Sequence, residues 1–217
     1  MRLRLWARAV PGLRHLTAGI EGANSWVTDG HKWLQVPNDC GFAIVRDRTI
    51  HERPMTQWSR YLPTIGEGDR VPSAFVPELS RRARGVPVYA MLKTLGRQGV
   101  AELVEHHCAL ARQFADTLGR EPGVRVLNTV SLNQVIVSFG DGDPASRRAA
   151  TEAMIARVQQ GGVCFAAGAE WRGDWMRLSV TSGATTGLDI EISAAAIIAA
   201  WRAERLTQQR GAAQPDA

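Results

Sequence analysis

Strand-like and helix-like segments alternate through the second half of the chain, and this order most constrains its fold. Short apolar runs typical of strands occur at 124–127, 134–139, 163–166 and 176–180. Apolar residues at helical spacing mark the other segments, which are 99–118, 145–160 and 187–205. After the first helix the order is β-β-α-β-β-α, which predicts a small two-layer α/β unit.

The first half contains fewer regular elements and looks like part of a domain. A short helix is predicted at 11–20, and strands at 25–28 and 41–46 flank a polar turn. The second strand is apolar through its centre and is predicted to be buried on both faces. Prolines and glycines interrupt residues 47–78, which predicts a long irregular loop. A loop of this length inside a compact protein is usually functional or mobile.

Lysine is rare in this chain. Lys32 and Lys93 are the two lysines among 26 Lys and Arg residues. Arginine stays protonated at neutral pH and cannot form a Schiff base, whereas a lysine amine can. Lys93 lies in an amphipathic stretch and is predicted to be a solvated helix residue. Lys32 lies in the polar turn before Trp33 and Leu34, which could supply the desolvation that amine chemistry needs.

The stretch Ala23–Gly41, ANSWVTDGHKWLQVPNDCG, contains a long motif around this lysine. It resembles the signature of the group II pyridoxal-phosphate (PLP)-dependent decarboxylases, which include aromatic amino-acid, histidine and glutamate decarboxylases. The family pattern is roughly A-D-S-x-x-x-D/N-x-H-K-W-L-x-V-P-x-D-C-G. Asn24 replaces the common aspartate, and Asn38 replaces a frequent aromatic residue. The resemblance continues through 77–118 and 176–180.

This resemblance implies an α/β fold of the PLP-dependent transferase type (aspartate aminotransferase-like, fold type I) and PLP as the cofactor. It implies that Lys32 forms the internal aldimine with PLP. His31 would lie against the cofactor near its phosphate. Asp29 falls where the family has an aspartate or asparagine near that phosphate.

The same resemblance divides the chain. Residues 1–95 would form the C-terminal part of an incomplete large PLP-binding domain, with a mobile loop at about 47–78. Residues 96–207 would form the C-terminal small α/β domain, and 208–217 a disordered tail. The family subunit is longer, and its aspartate that pairs with the pyridine nitrogen precedes the part matched here. We therefore expect a C-terminal fragment that is poorly stable or aggregates in isolation.

Two further residues are assigned by resemblance. Tyr61 lies in the long loop, where related decarboxylases have a tyrosine that protonates the substrate α-carbon after carbon dioxide leaves. A loop tyrosine can act as a general acid when closure excludes water. Arg177 lies in the late strand, where a bidentate guanidinium suits a substrate carboxylate. An ordinary surface tyrosine and an exposed strand arginine are the alternatives.

The resemblance implies PLP-dependent decarboxylation of an L-amino acid, and Tyr61 favours it over other PLP reactions such as transamination or carbon–sulfur cleavage. The missing pyridine-pairing aspartate favours a second hypothesis, that the chain is a non-catalytic remnant that keeps the motif by descent. Family members are homodimers with active sites between subunits. A homodimer is therefore implied for the intact enzyme, with a small amino acid as substrate.

Composition argues against several other classes. The net charge is +5, but basic and acidic residues are interspersed. The one tight basic cluster, 81–84, has no interleaved aromatics, so no nucleic-acid partner is expected. No apolar stretch has the length of a membrane span. Three widely spaced cysteines predict reduced thiols and a cytoplasmic location.

Overall fold

The computed structural model describes residues 4–56, 71–170 and 174–212. The chain divides into two compact units, Met1–Val100 and Ala101–Ala217, each with its own buried apolar cluster. This division falls inside a long helix. The boundary between family domains that is expected from the resemblance, at residues 95 and 96, stays a prediction.

The first unit contains a two-stranded antiparallel ribbon. Strand β1 (Ser25–Asp29) and strand β2 (Gly41–Val45) pair along their whole length. A single helical turn, α1 (Gly30–Trp33), begins directly where β1 ends. The first predicted strand is thus confirmed, and the predicted polar turn is helical. Three 3-10 helices precede the ribbon, at Arg4–Ala9, Pro11–Thr17 and Ile20–Gly22.

The prediction that the second strand is buried on both faces is wrong. Gly41, Ala43 and Ile44 are exposed, and Phe42 and Val45 are half-buried. Within the described residues β2 has β1 as its one strand neighbour. An apolar strand is buried on both faces where layers cover both of them. In the described part of the chain this ribbon has no such pair of covering layers.

Residues 47–78 contain a helix that the sequence analysis missed. Helix α2 spans Arg48–Met55, and the Asp47 side chain caps it by accepting hydrogen bonds from Thr49 N at 2.8 Å and Ile50 N at 3.2 Å. Pro54 lies in the last turn, where its missing N–H removes one hydrogen bond without ending the helix earlier. A 3-10 helix follows at Pro72–Phe75.

The predicted helix at 99–118 is confirmed but begins earlier. Helix α3 spans Gly85–Gly119 and contains a kink at Gly96, whose φ of 63° lies in the left-handed region. Glycine is the residue that adopts this conformation without a steric penalty. Lys93 is exposed on this helix, as predicted.

The second unit is a four-stranded antiparallel sheet with helices packed against it. Its strands are β3 (Val124–Val126), β4 (Gln134–Phe139), β5 (Ala167–Glu170) and β6 (Asp174–Ser179), in the spatial order β3-β4-β6-β5. Two further helices, α4 (Pro144–Gly161) and α5 (Gly187–Ala212), complete the unit. The predicted order of elements is therefore confirmed. The core includes Phe114, Leu118, Val135, Val137, Phe139, Met154, Met176, Ile197 and Trp201.

Two boundaries in this unit differ from prediction. A strand was predicted at 163–166, but β5 begins at Ala167, and Phe165 is 78% exposed. Gly162 ends α4 in the left-handed conformation, and the residues after it return the chain to the sheet edge. The tail predicted to be disordered from residue 208 is helical as far as Ala212.

A buried carboxylate joins the end of α3 to α5. Glu121 accepts hydrogen bonds from Arg202 Nε at 3.0 Å and Arg202 Nη2 at 2.7 Å. These hydrogen bonds hold the pKa of Glu121 below its usual value. Beside them, Trp201 Nε1 donates to the Pro122 carbonyl at 2.8 Å. Gly123, with φ of 80°, lies against the Trp201 ring.

Substitution of Gly123 should destabilise the second unit. A Cβ at this position would lie 2.8 Å from Trp201 Cζ2, and the positive φ adds strain. We expect Gly123→Ala to lower the free energy of unfolding by about 2–3 kcal/mol, measured by urea denaturation. Gly162→Ala is the control: it has a similar φ but open space around it, so we expect about 1 kcal/mol. Equal losses would contradict the steric part.

Glu121 should make stability depend on pH. Its folded pKa is below the unfolded value of about 4.3, so its stabilisation is present above that pH and is lost as the pH falls through the folded pKa. We expect the Tm difference between the native chain and Glu121→Gln to be full at pH 7 and to shrink below about pH 4. Glu152→Gln, an exposed site on α4, is the control. The same pH profile for both variants would contradict the assignment.

Candidate active site

Lys32 projects from a turn whose backbone is anchored in the core. The two residues that follow it, Trp33 and Leu34, are 0% and 1% exposed. Leu34 belongs to the apolar cluster of the first unit, together with Val36. The Lys32 side chain itself is 45% exposed. The amine is therefore accessible while its backbone has little freedom.

One carbonyl oxygen fixes the start of this turn. The Cys40 carbonyl accepts hydrogen bonds from Gly30 N at 2.9 Å and from His31 N at 3.3 Å. His31 Nδ1 lies 2.9 Å from the same oxygen. Because a carbonyl oxygen can only accept, Nδ1 must carry the hydrogen, and in the neutral ring Nε2 is then an acceptor. The orientation and tautomer of His31 follow from this contact.

Gly30 is required by the close packing under the turn. A Cβ at this position would lie 2.8 Å from Phe42 Cε2, 3.0 Å from Cys40 Sγ and 3.3 Å from Val36 Cγ2. Such distances are too short for ordinary van der Waals contact, so any larger residue would displace the turn. Gly30 therefore lets the backbone of the lysine turn sit directly on β2 and the residues before it.

An ion pair holds the lysine amine. Lys32 Nζ lies 2.7 Å from Asp29 Oδ2, and the Asp29 side chain is 10% exposed. A buried carboxylate next to a half-exposed amine keeps that amine in one place. An ammonium ion is not a nucleophile, so the amine must lose a proton before it can react. Asp29 Oδ2 lies within hydrogen-bond distance and can accept that proton.

A second ion pair supports the far end of the motif. Arg84 Nη2 lies 2.7 Å from Asp39 Oδ2, and this hydrogen bond lowers the pKa of Asp39. Asp39 itself has a φ of 68°, in the left-handed region. Burial raises the pKa of the Cys40 thiol, so Cys40 is suited to packing rather than to nucleophilic attack.

The structure brings three of the predicted site residues together on one turn, namely Lys32, His31 and Asp29. Arg177 lies in the second unit, exposed on β6 between Ile136 and Ala167. Tyr61 lies outside the described residues.

The supporting roles of Gly30, Cys40 and Arg84 were not predicted from the sequence. The Cys40 contribution comes from its backbone carbonyl, which has no signature in the sequence. The Gly30 role had one available signal, a glycine directly before the His-Lys pair.

The fold is that of known PLP-dependent decarboxylases of fold type I. Oryza sativa TDC, solved with PLP and tryptamine, matches 92% of this chain with a TM-score of 0.85 and 19% identity, over 43% of its own chain. Mouse CSAD in apo form matches 90% of this chain with a TM-score of 0.79 and 17% identity, over 43% of its chain. Catharanthus roseus tryptophan decarboxylase matches 91% of this chain and 42% of its own chain, with a TM-score of 0.76 and 18% identity.

A family model described as the pyridoxal-dependent decarboxylase conserved domain matches residues 8–140. The chain therefore belongs to the pyridoxal-dependent decarboxylase family, whose cofactor is PLP. Lys32, His31 and Asp29 all lie inside the matched range.

Curated relatives are similar at identities of 25% to 32%. Tyrosine decarboxylase 2 of Arabidopsis thaliana is 26% identical over 160 residues, covering 71% of this chain and 29% of the relative. L-aspartate decarboxylase of Thermococcus kodakarensis is 32% identical over 121 residues, covering 56% of this chain and 30% of the relative. Aromatic-L-amino-acid decarboxylase of Drosophila lebanonensis is 25% identical over 202 residues, covering 92% and 49%. The chain thus spans less than half the length of these relatives.

The residues on the lysine turn fit a cofactor that bonds to a lysine amine. The fit rests on a half-exposed primary amine in contact with a carboxylate, and on an imidazole of fixed orientation on the preceding residue. Among the described residues no helix is long and apolar enough to cross a membrane. No group of metal-ligating side chains occurs in the same residues.

Substitution of Gly30 should loosen the lysine turn locally. Gly30→Ala would push the turn away from Phe42 and weaken the hydrogen bonds to the Cys40 carbonyl, at a cost of about 1–3 kcal/mol. We expect the amides of Gly30 and His31 to exchange hydrogen about 5- to 150-fold faster, measured by mass spectrometry on the peptide that contains them. Gly12→Ala, which has no neighbour within 4 Å, is the control. Unchanged exchange in Gly30→Ala would contradict the packing role.

Proposed function

We propose that this chain supplies the cofactor-bonding lysine of a PLP-dependent amino-acid decarboxylase, with Lys32 as that lysine. The observation that carries the proposal is the contact of the half-exposed Lys32 amine with the buried Asp29 carboxylate, on a turn that also orients His31. The family match over residues 8–140 supports it. Because the chain spans less than half of its relatives, activity is proposed for a protein that contains the remainder of the family fold.

Lys32 would hold PLP through its amine, and His31 and Asp29 would lie next to the cofactor. When bound, PLP supplies an electron sink for the pair of electrons left when the carboxylate leaves. The contribution of this chain is to position the amine and to manage its proton. While no cofactor is bonded to Lys32, Asp29 Oδ2 holds Lys32 Nζ at 2.7 Å, and it can accept the proton of the amine when the amine reacts. The fixed Nδ1–H of His31 leaves Nε2 as the ring atom available to a ligand.

Two roles are proposed from family resemblance alone. Tyr61 would donate the proton to the substrate α-carbon, as a general acid on a loop. Arg177 would bind a carboxylate group, for which an exposed guanidinium is chemically suited. The substrate class is an L-amino acid, because the relatives are named as decarboxylases of tyrosine, aspartate and aromatic L-amino acids. We further propose a cytoplasmic homodimer for the intact enzyme.

The chain offers a matched test because it has two lysines. The purified protein is incubated with PLP and treated with borohydride, which fixes the cofactor to any lysine it has bonded. Labelled peptides are then mapped. We expect the label on Lys32 in the native chain and in Lys93→Arg, and none on Lys93 in Lys32→Arg. Arginine keeps the charge beside Asp29 but cannot form the bond.

Equal labelling of Lys32 and Lys93 would contradict the proposal, because it would show reaction with any exposed amine. Release of amine and carbon dioxide from candidate L-amino acids is measured next. Labelling at Lys32 without turnover would favour the second hypothesis, a chain that keeps the lysine site without catalysis.

A further inference from the structure

A large open cavity lies in the first unit, next to the lysine turn but distinct from it. Its volume is about 1130 Å³, and its walls are β2, the residues of α2 that face it, and the segment from Pro72 to Val88. Lys32, His31 and Asp29 are not among its described lining residues, whereas Cys40 and Gly41, at the end of the motif, are. The cavity is larger than an inorganic ion needs and is of the size that holds a small organic molecule.

The ionisable side chains on the charged part of the described lining are basic. Its basic side chains are Arg48, His51, Arg81, Arg82 and Arg84, and no acidic side chain lies among the described lining residues. His51 Nε2 lies 3.1 Å from the Phe75 carbonyl, so Nε2 carries a hydrogen and the ring is held in place. Basic side chains on a concave surface attract anions, most strongly where no carboxylate already balances their charge.

Some hydrogen-bond donors of these arginines are not used in ion pairs. Three of them have carboxylate partners outside the lining, in the pairs Arg48–Glu52 (2.6 Å), Arg81–Glu78 (3.3 Å) and Arg84–Asp39 (2.7 Å). No side-chain hydrogen bond of Arg82 is found among the described residues, and its charge acts on the Asp39 carboxylate. The Nε and Nη1 atoms of Arg84 are buried and also have no partner there. These two atoms are closed to solvent, so a ligand in the cavity would meet the accessible part of the Arg84 side chain, which is 24% exposed.

The rest of the lining is apolar. It includes Phe42, Val45, Met55, Phe75, Val76 and Val88. An apolar wall beside cationic donors matches a ligand that has an apolar body and one anionic group. The guanidinium group pairs equally well with carboxylate and phosphate oxygens.

We propose that this cavity is a binding site for an amphipathic organic anion, a carboxylate or phosphate ester on an apolar body, with Arg82 as its main cationic contact. The proposal is independent of the proposed decarboxylase function. The Cys40 carbonyl also holds the lysine turn, so a ligand in the cavity lies directly behind the backbone that positions Lys32.

The test is isothermal titration calorimetry with the whole chain. Phenyl phosphate and 3-phenylpropionate are the two probes that carry both features and separate phosphate from carboxylate. Inorganic phosphate has the charge alone, and benzyl alcohol has the apolar body alone. We expect at least one of the first two to bind about tenfold more tightly than either of the last two.

Matched variants locate the site. We expect Arg82→Gln to weaken binding about tenfold, because it removes a charged donor from the cavity. Arg97→Gln removes the same charge from an exposed position of α3 that does not line the cavity, and should leave binding unchanged. Unfolding midpoints are compared by circular dichroism so that a folding defect is recognised, and Arg48→Gln serves as the second cavity variant.

Four results would overturn the proposal. Equal weakening in Arg82→Gln and Arg97→Gln would show general charge attraction. If benzyl alcohol binds as tightly as the organic anions, the arginines do not contribute to binding. If inorganic phosphate binds as tightly as they do, the apolar wall does not contribute. Loss of probe binding in Lys32→Ala would place the probe at the lysine turn instead. Retained binding in Lys32→Ala, by contrast, supports a separate site even if the decarboxylase proposal fails.

Discussion

The hydrogen bonds that converge on the Cys40 carbonyl are the constraint on which the lysine turn depends. The ribbon ends with Asp29 opposite Gly41, so the next residues on each strand, Gly30 and Cys40, meet directly. The carbonyl of Cys40 then accepts from two successive amides and from the His31 ring. A shift of the strand pairing by one residue would turn each side chain to the other face. The register of β1 and β2 therefore determines the direction in which the Lys32 side chain points.

The turn combines rigidity and access by dividing these tasks between neighbouring residues. Trp33 and Leu34 are buried and hold the backbone, whereas Lys32 remains half-exposed. Asp29 is buried, so its carboxylate has little freedom to leave the amine for water. Such an arrangement positions a reactive group before any ligand arrives, which lowers the cost of ordering it later.

The local sequence pattern was sufficient to predict features that depend on neighbouring residues. It was insufficient to predict features that depend on residues far away in the chain. The motif predicted that Lys32, His31 and Asp29 act together, and the structure places them on one turn. The prediction that β2 is buried on both faces was wrong because burial depends on which elements cover a strand, and the residues of the strand itself do not determine this. Helix α2 was missed because the cap at Asp47 outweighed the proline signal. The Cys40 carbonyl could not be anticipated, since every residue except proline carries the same backbone groups.

The use of arginine for almost every positive charge has a consequence for selectivity. A free pyridoxal aldehyde condenses with any accessible neutral amine, so a lysine-rich surface would accumulate unwanted adducts. Here the surface cations are guanidinium groups, which stay protonated. Lys93, exposed on α3, is the remaining side-chain competitor for the aldehyde. The chain thus presents two lysine amines to a carbonyl compound, and of these Lys32 is the one held beside a buried carboxylate.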